Sequence, residues 1–319
     1  NYTAITGDFI PASTGVYYIG IRAYNSTTSP NYIAFDDFSV DLTPTCLAPT
    51  ALTAVATSAT AANLSWTAPA TGSPASYEWE VRTTGAGGSG ATGLTVSGSV
   101  TAPTVSTSTT SLTANTSYSL YVRTNCGGSG FSTWAGPVTF TTPCATVTLT
   151  QSEGFNTAAN TTFPICWSQQ LVSGTKNITF ETTGSNPTTS PQEGTRMVYW
   201  NSFSNSGSQT RLVSLPLNTT GVTSVDVEFQ WLNENNTSYN SGAYVTGEGV
   251  QIQYSTDGAT WTDAGSFVSR HDGTLASGTA QWNKKTITVA SAGNQSVVYI
   301  GFLFKSNAGD NSYMDAVVI

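Results

Sequence analysis

The chain has 319 residues, of which 38% are hydrophobic and only 9% charged, and its formal net charge is -8. The apolar content suits folded cores and excludes a disordered chain, and the length indicates more than one domain. Ten basic residues against eighteen acidic ones exclude a nucleic-acid partner, and no uncharged apolar run approaches the roughly 20 residues needed for membrane insertion.

Alternating apolar and polar runs, separated by Gly, Pro, Asn and Ser, predict strands along the whole chain. Thr, Val and Tyr are abundant, and no long stretch has helical spacing. The predicted fold class is all-β. The clearest strand runs are NLSWTA, YEWEVRT, YSLYVRT, VDVEFQWL, VQIQYS and VVYIGFLF.

The first forty residues are similar to the last part of the chain. YYIGIRAY (17–24) matches VYIGFLFK (298–305), and FDDFSV (35–40) matches MDAVVI (314–319). The displacement is 281 residues from Gly20 to Gly301 and 279 residues from Asp36 to Asp315. Generic similarity between strands is the alternative, but the shared order and near-equal spacing favour a repeat of about 280 residues.

Residues 1–44 are therefore predicted to be the terminal strands of a preceding repeat. Two strands alone cannot bury both faces, and they leave open edges. Their partners are expected either earlier in a longer protein or in a neighbouring molecule that accepts the strands.

The segment 45–144 has the aromatic and aliphatic spacing of a known family. It resembles a fibronectin type III domain over about 100 residues, which implies a β-sandwich in which Tyr118 is the tyrosine-corner residue. The positions that carry the resemblance are Pro49, Leu52, Leu64, Trp66, Tyr77, Trp79, Val81, Leu112, Tyr118, Leu120 and Val122.

The four cysteines indicate two disulfides and an extracellular location. They lack the close CxxC pairs and histidine partners of a zinc site, and four cysteines allow three pairings. The fibronectin type III resemblance implies a bond between Cys46 and Cys126, because the first strand begins where the sixth ends. Cys144 and Cys166 then form the second bond.

The segment 145–319 resembles the cleaved-adhesin or MAM-like jelly rolls of Bacteroidetes surface proteins, including those attached to gingipain-type proteases. The opening acid and aromatic residues appear as Glu153, Phe155, Pro164 and Trp167, and RLVSLPLN, VDVEFQWL, VQIQYSTDGATW, QWNKKTITV, YIGFLF and MDAVVI follow. The resemblance implies a jelly-roll sandwich and export by the type IX secretion system. It makes residues 1–44 the end of a preceding jelly roll.

The same resemblance implies a structural calcium ion between the first and last strands, held by Glu153 and Asp315. Asp36 and Asp37 occupy the matching positions in the N-terminal segment. Ala316 follows Asp315, so one ligand is missing in the C-terminal copy. The alternative is that these acids only face solvent at strand ends.

No arrangement of residues indicates catalysis. His271 is the only histidine, and neither GxSxG nor HExxH occurs. Glu228, Glu234 and Glu248 match no glycosidase motif, so we expect no enzyme. Most tryptophans lie at positions expected for core residues, whereas Tyr199 and Trp200 in MVYWNSF are candidates for a ligand-binding face.

The sequence therefore predicts a non-catalytic repeat unit of a large secreted or cell-surface adhesin or extracellular filament. Its expected partners are copies of itself or neighbouring repeats, with a glycan or host-surface ligand also considered. The alternative is a carbohydrate-binding accessory region of a secreted hydrolase or protease. Further copies of the unit would favour the first interpretation, and one catalytic domain upstream would favour the second.

Overall fold

The computed structural model describes residues 7, 9, 13–22, 37–40, 46–203 and 205–319. The fold is almost entirely β, as predicted from the alternation. The chain divides into two compact units, one comprising Asn1–Val55, Asn63–Thr109 and Tyr118–Phe140 and the other Ala56–Ala62, Thr110–Ser117 and Thr141–Ile319. No helix in the described part of the chain is long and apolar enough to cross a membrane.

The first sandwich contains strands β1 to β7. Sheet order is β1-β2-β5 in one layer and β4-β3-β6-β7 in the other. A short 3₁₀ turn, Gly127–Ser129, lies between the last two strands. The strands are β1 (Thr50–Ser58), β2 (Ala61–Thr67), β3 (Ser76–Arg82), β4 (Leu94–Thr101), β5 (Ser106–Thr109), β6 (Ser117–Asn125) and β7 (Ala135–Thr141).

The core of this sandwich comes from alternate positions of β2, β3 and β6, because successive side chains of a strand point to opposite faces. Trp66 and Tyr77 contact each other edge to face, with ring centroids 5.6 Å apart. The residues predicted from the sequence as strand core are buried: Leu64, Trp66, Tyr77, Trp79, Val81, Tyr118, Leu120 and Val122.

Both predicted disulfides are confirmed. Cys46 bonds to Cys126 across 80 residues, and Cys144 bonds to Cys166 across 22 residues. No free cysteine remains among the described residues. Structural disulfides persist in oxidising compartments, so they indicate an extracellular protein.

The second sandwich contains strands β8 to β20, one short helix and a 3₁₀ turn at Ala290–Ala292. The helix α1 spans Ala243–Gly247. The strands are β8 (Val147–Thr148), β9 (Ser152–Glu153), β10 (Ser168–Ser173), β11 (Thr179–Glu181), β12 (Met197–Trp200), β13 (Gln209–Val213), β14 (Leu217–Asn218), β15 (Val225–Glu234), β16 (Gly249–Ser255), β17 (Thr262–Ser269), β18 (Ala280–Val289), β19 (Tyr299–Lys305) and β20 (Ser312–Val318).

Two large sheets form this sandwich. Strand order is β10-β13-β19-β16-β17 in the first and β11-β12-β20-β15-β18 in the second, where β9 also pairs with β20. The short strands β8 and β14 form a separate parallel pair. The last two strands, β19 and β20, are therefore central, with hydrogen-bonded neighbours on both sides.

The main core lies between the two large sheets. The rings of Trp167 and Phe302 stack with centroids 6.3 Å apart, and those of Phe229 and Phe302 meet edge to face at 5.7 Å. Its largest members are Phe155, Trp167, Phe180, Trp200, Phe229, Trp231, Phe302 and Phe304.

A second, smaller hydrophobic cluster contains Met197, Leu232 and Tyr313. The loop 182–196 crosses this part of the six-stranded sheet. The Tyr313 hydroxyl donates to the carbonyl of Ser185 over 2.5 Å, and the Trp282 indole donates to the carbonyl of Ser190 over 3.1 Å. This loop positions one of the carboxylates of the candidate site.

The described residues 13–22 and 37–40 belong to no strand. Their large apolar side chains are exposed: Val16, Tyr17, Tyr18, Ile19, Ile21, Phe38 and Val40. These residues are therefore not folded into the interior of either sandwich.

Candidate functional site

The two acids predicted for the C-terminal copy lie close together in strand pairing. Residue Glu153 in β9 pairs with Val317 in β20, two residues after Asp315. The Asp315 side chain is fully buried. Its Oδ2 accepts hydrogen bonds from the backbone N–H groups of Gln192 and Glu193 over 2.8 and 3.1 Å, so it anchors the end of the 182–196 loop.

A third carboxylate, which the sequence did not reveal, joins them. The side chain of Glu193 lies against Gly154, where an added Cβ would collide with Oε1 of the glutamate. Glu153 is half-buried, and its Oε1 accepts a 2.6 Å hydrogen bond from the N–H of Phe155. Only the path of the loop brings Glu193 here, so no local pattern could have identified it.

The three carboxylates form a negatively charged cluster. Burial raises the pKa of Asp315 to about 6, opposed by its backbone hydrogen bonds and reinforced by the charge of Glu193. The pKa of Glu153 is also raised, chiefly by burial and further by Glu193. In the described part of the chain, no ion pair involves any of these three carboxylates.

The donor set suits a hard cation such as calcium, which prefers carboxylate and carbonyl oxygens. As arranged, no group of three His, Cys, Asp or Glu side chains among the described residues is ready to hold a metal ion. Asp36 lies outside the described residues. Asp37 belongs to the first compact unit, whereas Glu153 and Asp315 belong to the second.

A different acidic group lies where β15 and β17 end and β16 begins. The guanidinium of Arg270 forms ion pairs with Glu234 and Glu248, and all three residues are buried. Burial raises the pKa of Glu248, although hydrogen bonds from Ser202, Gly309 and Asn307 oppose the shift. The glutamates are therefore committed to a structural ion-pair network, while Glu228 pairs with Lys284 over 2.6 Å.

The two aromatic candidates for a ligand face differ in exposure. Trp200 is fully buried in the main core, so the prediction that it contacts a ligand is wrong. Side chains alternate along β12, and Tyr199 therefore points away from that core. Its half-buried ring lies 5.4 Å from the ring of Tyr313, and it stays a candidate.

One comparison identifies the first sandwich. The family model described as "Fibronectin type III domain" matches residues 47–141. These residues are a fibronectin type III domain. Together with the two disulfides, it indicates an extracellular adhesion or binding protein.

No curated protein matches the chain. Among solved structures, the K1 cleaved adhesin domain of Lys-gingipain from Porphyromonas gingivalis W83 is 15% identical, with 53% of this chain and 96% of that domain covered and a TM-score of 0.35. Carbohydrate-binding modules of the β-sandwich superfamily are 16% identical, with 85% and 98% covered and a TM-score of 0.32. The human collagen alpha-1(XX) fn3 domain is 21% identical, with 34% and 96% covered and a TM-score of 0.29.

Proposed function

We propose that the chain is a non-catalytic repeat unit of a large secreted or cell-surface adhesin or extracellular filament, in which it serves adhesion and scaffolding. A backbone feature shared by the two similar segments carries this proposal. Asp37 has a φ of +52°, and Ala316, its counterpart in the match of FDDFSV with MDAVVI, has a φ of +47°. Ten non-glycine residues in the described part of the chain have positive φ, and the occurrence of two of them at matched positions of the similar segments supports a structural repeat.

The positive φ of Ala316 coincides with an irregularity in the pairing of β20. The pairing of β15 with β20 shifts register between Glu228 and Gln230, opposite the stretch that contains Ala316. An irregularity of this kind bends one strand and is specific to its sandwich. Asp37 also has a positive φ, in a segment whose sequence, FDDFSV, is similar to MDAVVI at the end of the chain.

A structural calcium ion held by Glu153 and Asp315 is part of the proposal, and it requires the side chain of Glu193 to move closer, because the three carboxylates do not form a metal site as they are arranged. When bound, calcium would neutralise the repulsion among the three carboxylates and fasten the 182–196 loop to β9 and β20. Burial raises the pKa of both Asp315 and Glu153, and the charge of Glu193 raises both further. A bound cation would relieve this repulsion, which supports the assignment.

Immunogold electron microscopy and immunoblotting with antibodies against residues 145–319 test the adhesin or filament role. We expect labelling of extracellular filaments or of the cell surface, and a labelled polypeptide much larger than the 33.3 kDa of this chain. Labelling confined to the cell interior would overturn the proposal. A large labelled polypeptide with a single copy of the unit beside a catalytic domain would favour the accessory-region alternative.

That alternative, a carbohydrate-binding accessory region, is favoured by the partly exposed ring of Tyr199. Aromatic rings with one accessible face can stack on sugars. A glycan array probed with the full chain and with Tyr199→Ala tests it. Binding that the variant loses would support a sugar site at Tyr199, and equal or absent binding would remove this support.

A further inference from the structure

Residues 17–22 are similar in sequence to the buried central strand β19, but their apolar side chains are exposed to solvent. Tyr18 is 93% exposed, Ile19 57% and Ile21 53%. Exposed contiguous apolar residues of this kind mark interaction sites in soluble proteins. The structure of the matching C-terminal strand shows which surroundings would bury them.

The counterparts of Ile19 and Ile21 in β19 are Ile300 and Phe302, and both are fully buried in the main core. Strand β19 has β13 on one side and β16 on the other, with Phe302 opposite both Leu212 and Ile252. A strand with this sequence therefore needs a neighbour along each edge and a second sheet over its apolar face.

Gly20 identifies the partner more closely. At its counterpart, Gly301, an added Cβ would lie 2.6 Å from the ring of Trp261 and 2.9 Å from Cδ of Arg211. Those two side chains stack on each other, with the guanidinium 4.4 Å from the ring centroid. At Gly20 itself, nothing lies within 4 Å of an added Cβ. Nothing near Gly20 requires a glycine at this position. A stacked Trp–Arg pair over it would require one, because no room would remain for a Cβ.

The second stretch follows the same pattern. Phe38 and Val40 are exposed, whereas their counterparts in the match with MDAVVI, Val317 and Ile319, are buried in the main core. Together with the positive φ of Asp37, this difference supports the match of residues 37–40 with residues 316–319, the end of β20 and the residue after it.

We propose that residues 16–22 and 37–40 occupy the β19 and β20 positions of a second jelly roll, whose strands β8 to β17 come from another copy of the sequence 141–281. Gly20 then lies beneath that copy's equivalents of Trp261 and Arg211. This inference rests on the proposed repeat function. The partner surface consists of the strand edges of β13, β16, β12 and β15 that are unpaired when β19 and β20 are missing from a jelly roll.

An extended chain tests the proposal. Residues 141–281, which include both Cys144 and Cys166, are placed before Asn1 of the full chain, so that residue 1 follows where residue 282 would stand. Hydrogen exchange is then measured at the amides of 16–22 and 37–40. We expect exchange at least 100-fold slower in the extended chain than in the 319-residue chain. Equal exchange in the two chains would overturn the proposal.

The glycine supplies a matched pair of variants. Gly20→Val in the extended chain should abolish the protection, because its side chain would collide with the Trp261 equivalent, while the same change leaves the 319-residue chain unaffected. Gly15→Val is the control, since its counterpart, Ser296, already carries a side chain. Replacing Trp261 by Ala in the added copy should restore protection to the Gly20→Val chain. Equal protection in both valine variants would contradict the predicted site of Gly20.

A graft within the 319-residue chain decides the question if the extended chain does not fold. The four residues 18–21, YIGI, replace residues 299–302, YIGF, and a control graft carries YGII, which places a side chain beneath Trp261. We expect the first graft to retain a cooperative melt of the second sandwich and the control to lose it. Loss in both would show that 18–21 is not equivalent to this part of β19. Filament labelling by the antibody would be unaffected, so the repeat function and this inference fail separately.

Discussion

The carboxyl group of Asp315 links the predicted calcium ion to the pH dependence of stability. Its pKa is about 6 in the folded protein, above the roughly 3.9 of an unfolded aspartate. The folded state therefore binds more protons between these values. The resulting stabilisation is complete below about pH 4 and is lost as the pH rises through 6.

We expect the free energy of unfolding in a chelator to lose up to about 3 kcal/mol between pH 4 and pH 7 through this group. Calcium should reduce the loss, because it favours the ionised carboxylates. Urea unfolding at several pH values, with chelator or with calcium, measures both effects. Asp315→Asn is the control, and it should flatten the pH profile and abolish the calcium effect. A profile unchanged by this substitution, or a melting temperature insensitive to calcium, would contradict the assignment.

Ala316 gives a second prediction at this scale, because its φ of +47° is unfavourable for a residue with a Cβ. The left-handed conformation costs roughly 1–2 kcal/mol for such a residue, and glycine avoids most of that cost. Ala316→Gly should therefore stabilise the protein by roughly 0.5–1 kcal/mol, even after the greater freedom of glycine in the unfolded chain is counted. Ala280→Gly, in the extended strand β18, is the matched control and should destabilise. If chemical unfolding gave the same change in the free energy of unfolding for both variants, the backbone at Ala316 would carry no strain.

At the scale of elements, Arg270 holds together the end of β15, the start of β16 and the end of β17. Its Nε and Nη2 donate to Oε2 of Glu248 over 3.0 and 2.7 Å, and it also pairs with Glu234. Removing one partner of a buried ion pair leaves an uncompensated charge and costs about 3–5 kcal/mol. We expect Arg270→Met to destabilise the second sandwich by this amount, as measured by denaturant unfolding.

The matched control for that change removes the charges together. The triple variant Glu234→Gln, Glu248→Gln and Arg270→Met removes the charges of all three ion-paired residues and leaves only the neighbouring buried acid Asp310. It should therefore recover part of the loss. If the triple variant were no more stable than Arg270→Met alone, packing of the long side chain rather than electrostatics would account for the effect.

The elements show which features a sequence can reveal. Alternation along β3 and β6 predicted the buried residues Tyr77, Trp79 and Leu120, because a two-residue period directly determines which face a side chain takes. Glu193 and Arg270 were not predicted. Both lie beyond regular strands, and their contacts depend on how loops cross the sheets. Trp200 was assigned to the wrong face, since MVYW alone does not show which side of β12 meets the core.

At the scale of the whole molecule, each disulfide closes a loop around a different sandwich. The 80-residue separation of Cys46 and Cys126 spans β1 to β6, whereas Cys144 and Cys166 lie at the start of the second compact unit. Crosslinks stabilise mainly by restricting the unfolded chain, and the effect grows with loop length. The two bonds should therefore act on different unfolding transitions.

We expect calorimetry to show two transitions, because each sandwich has its own core. Replacing Cys46 and Cys126 by serine should destabilise the fibronectin type III domain by roughly 4 kcal/mol and lower only its transition. Replacing Cys144 and Cys166 should cost the second sandwich roughly 3 kcal/mol, since the closed loop is shorter. If either double substitution moved both transitions equally, the sandwiches would be unfolding as one cooperative unit, and a tandem array built from them would respond to heat or force as a continuous body rather than domain by domain.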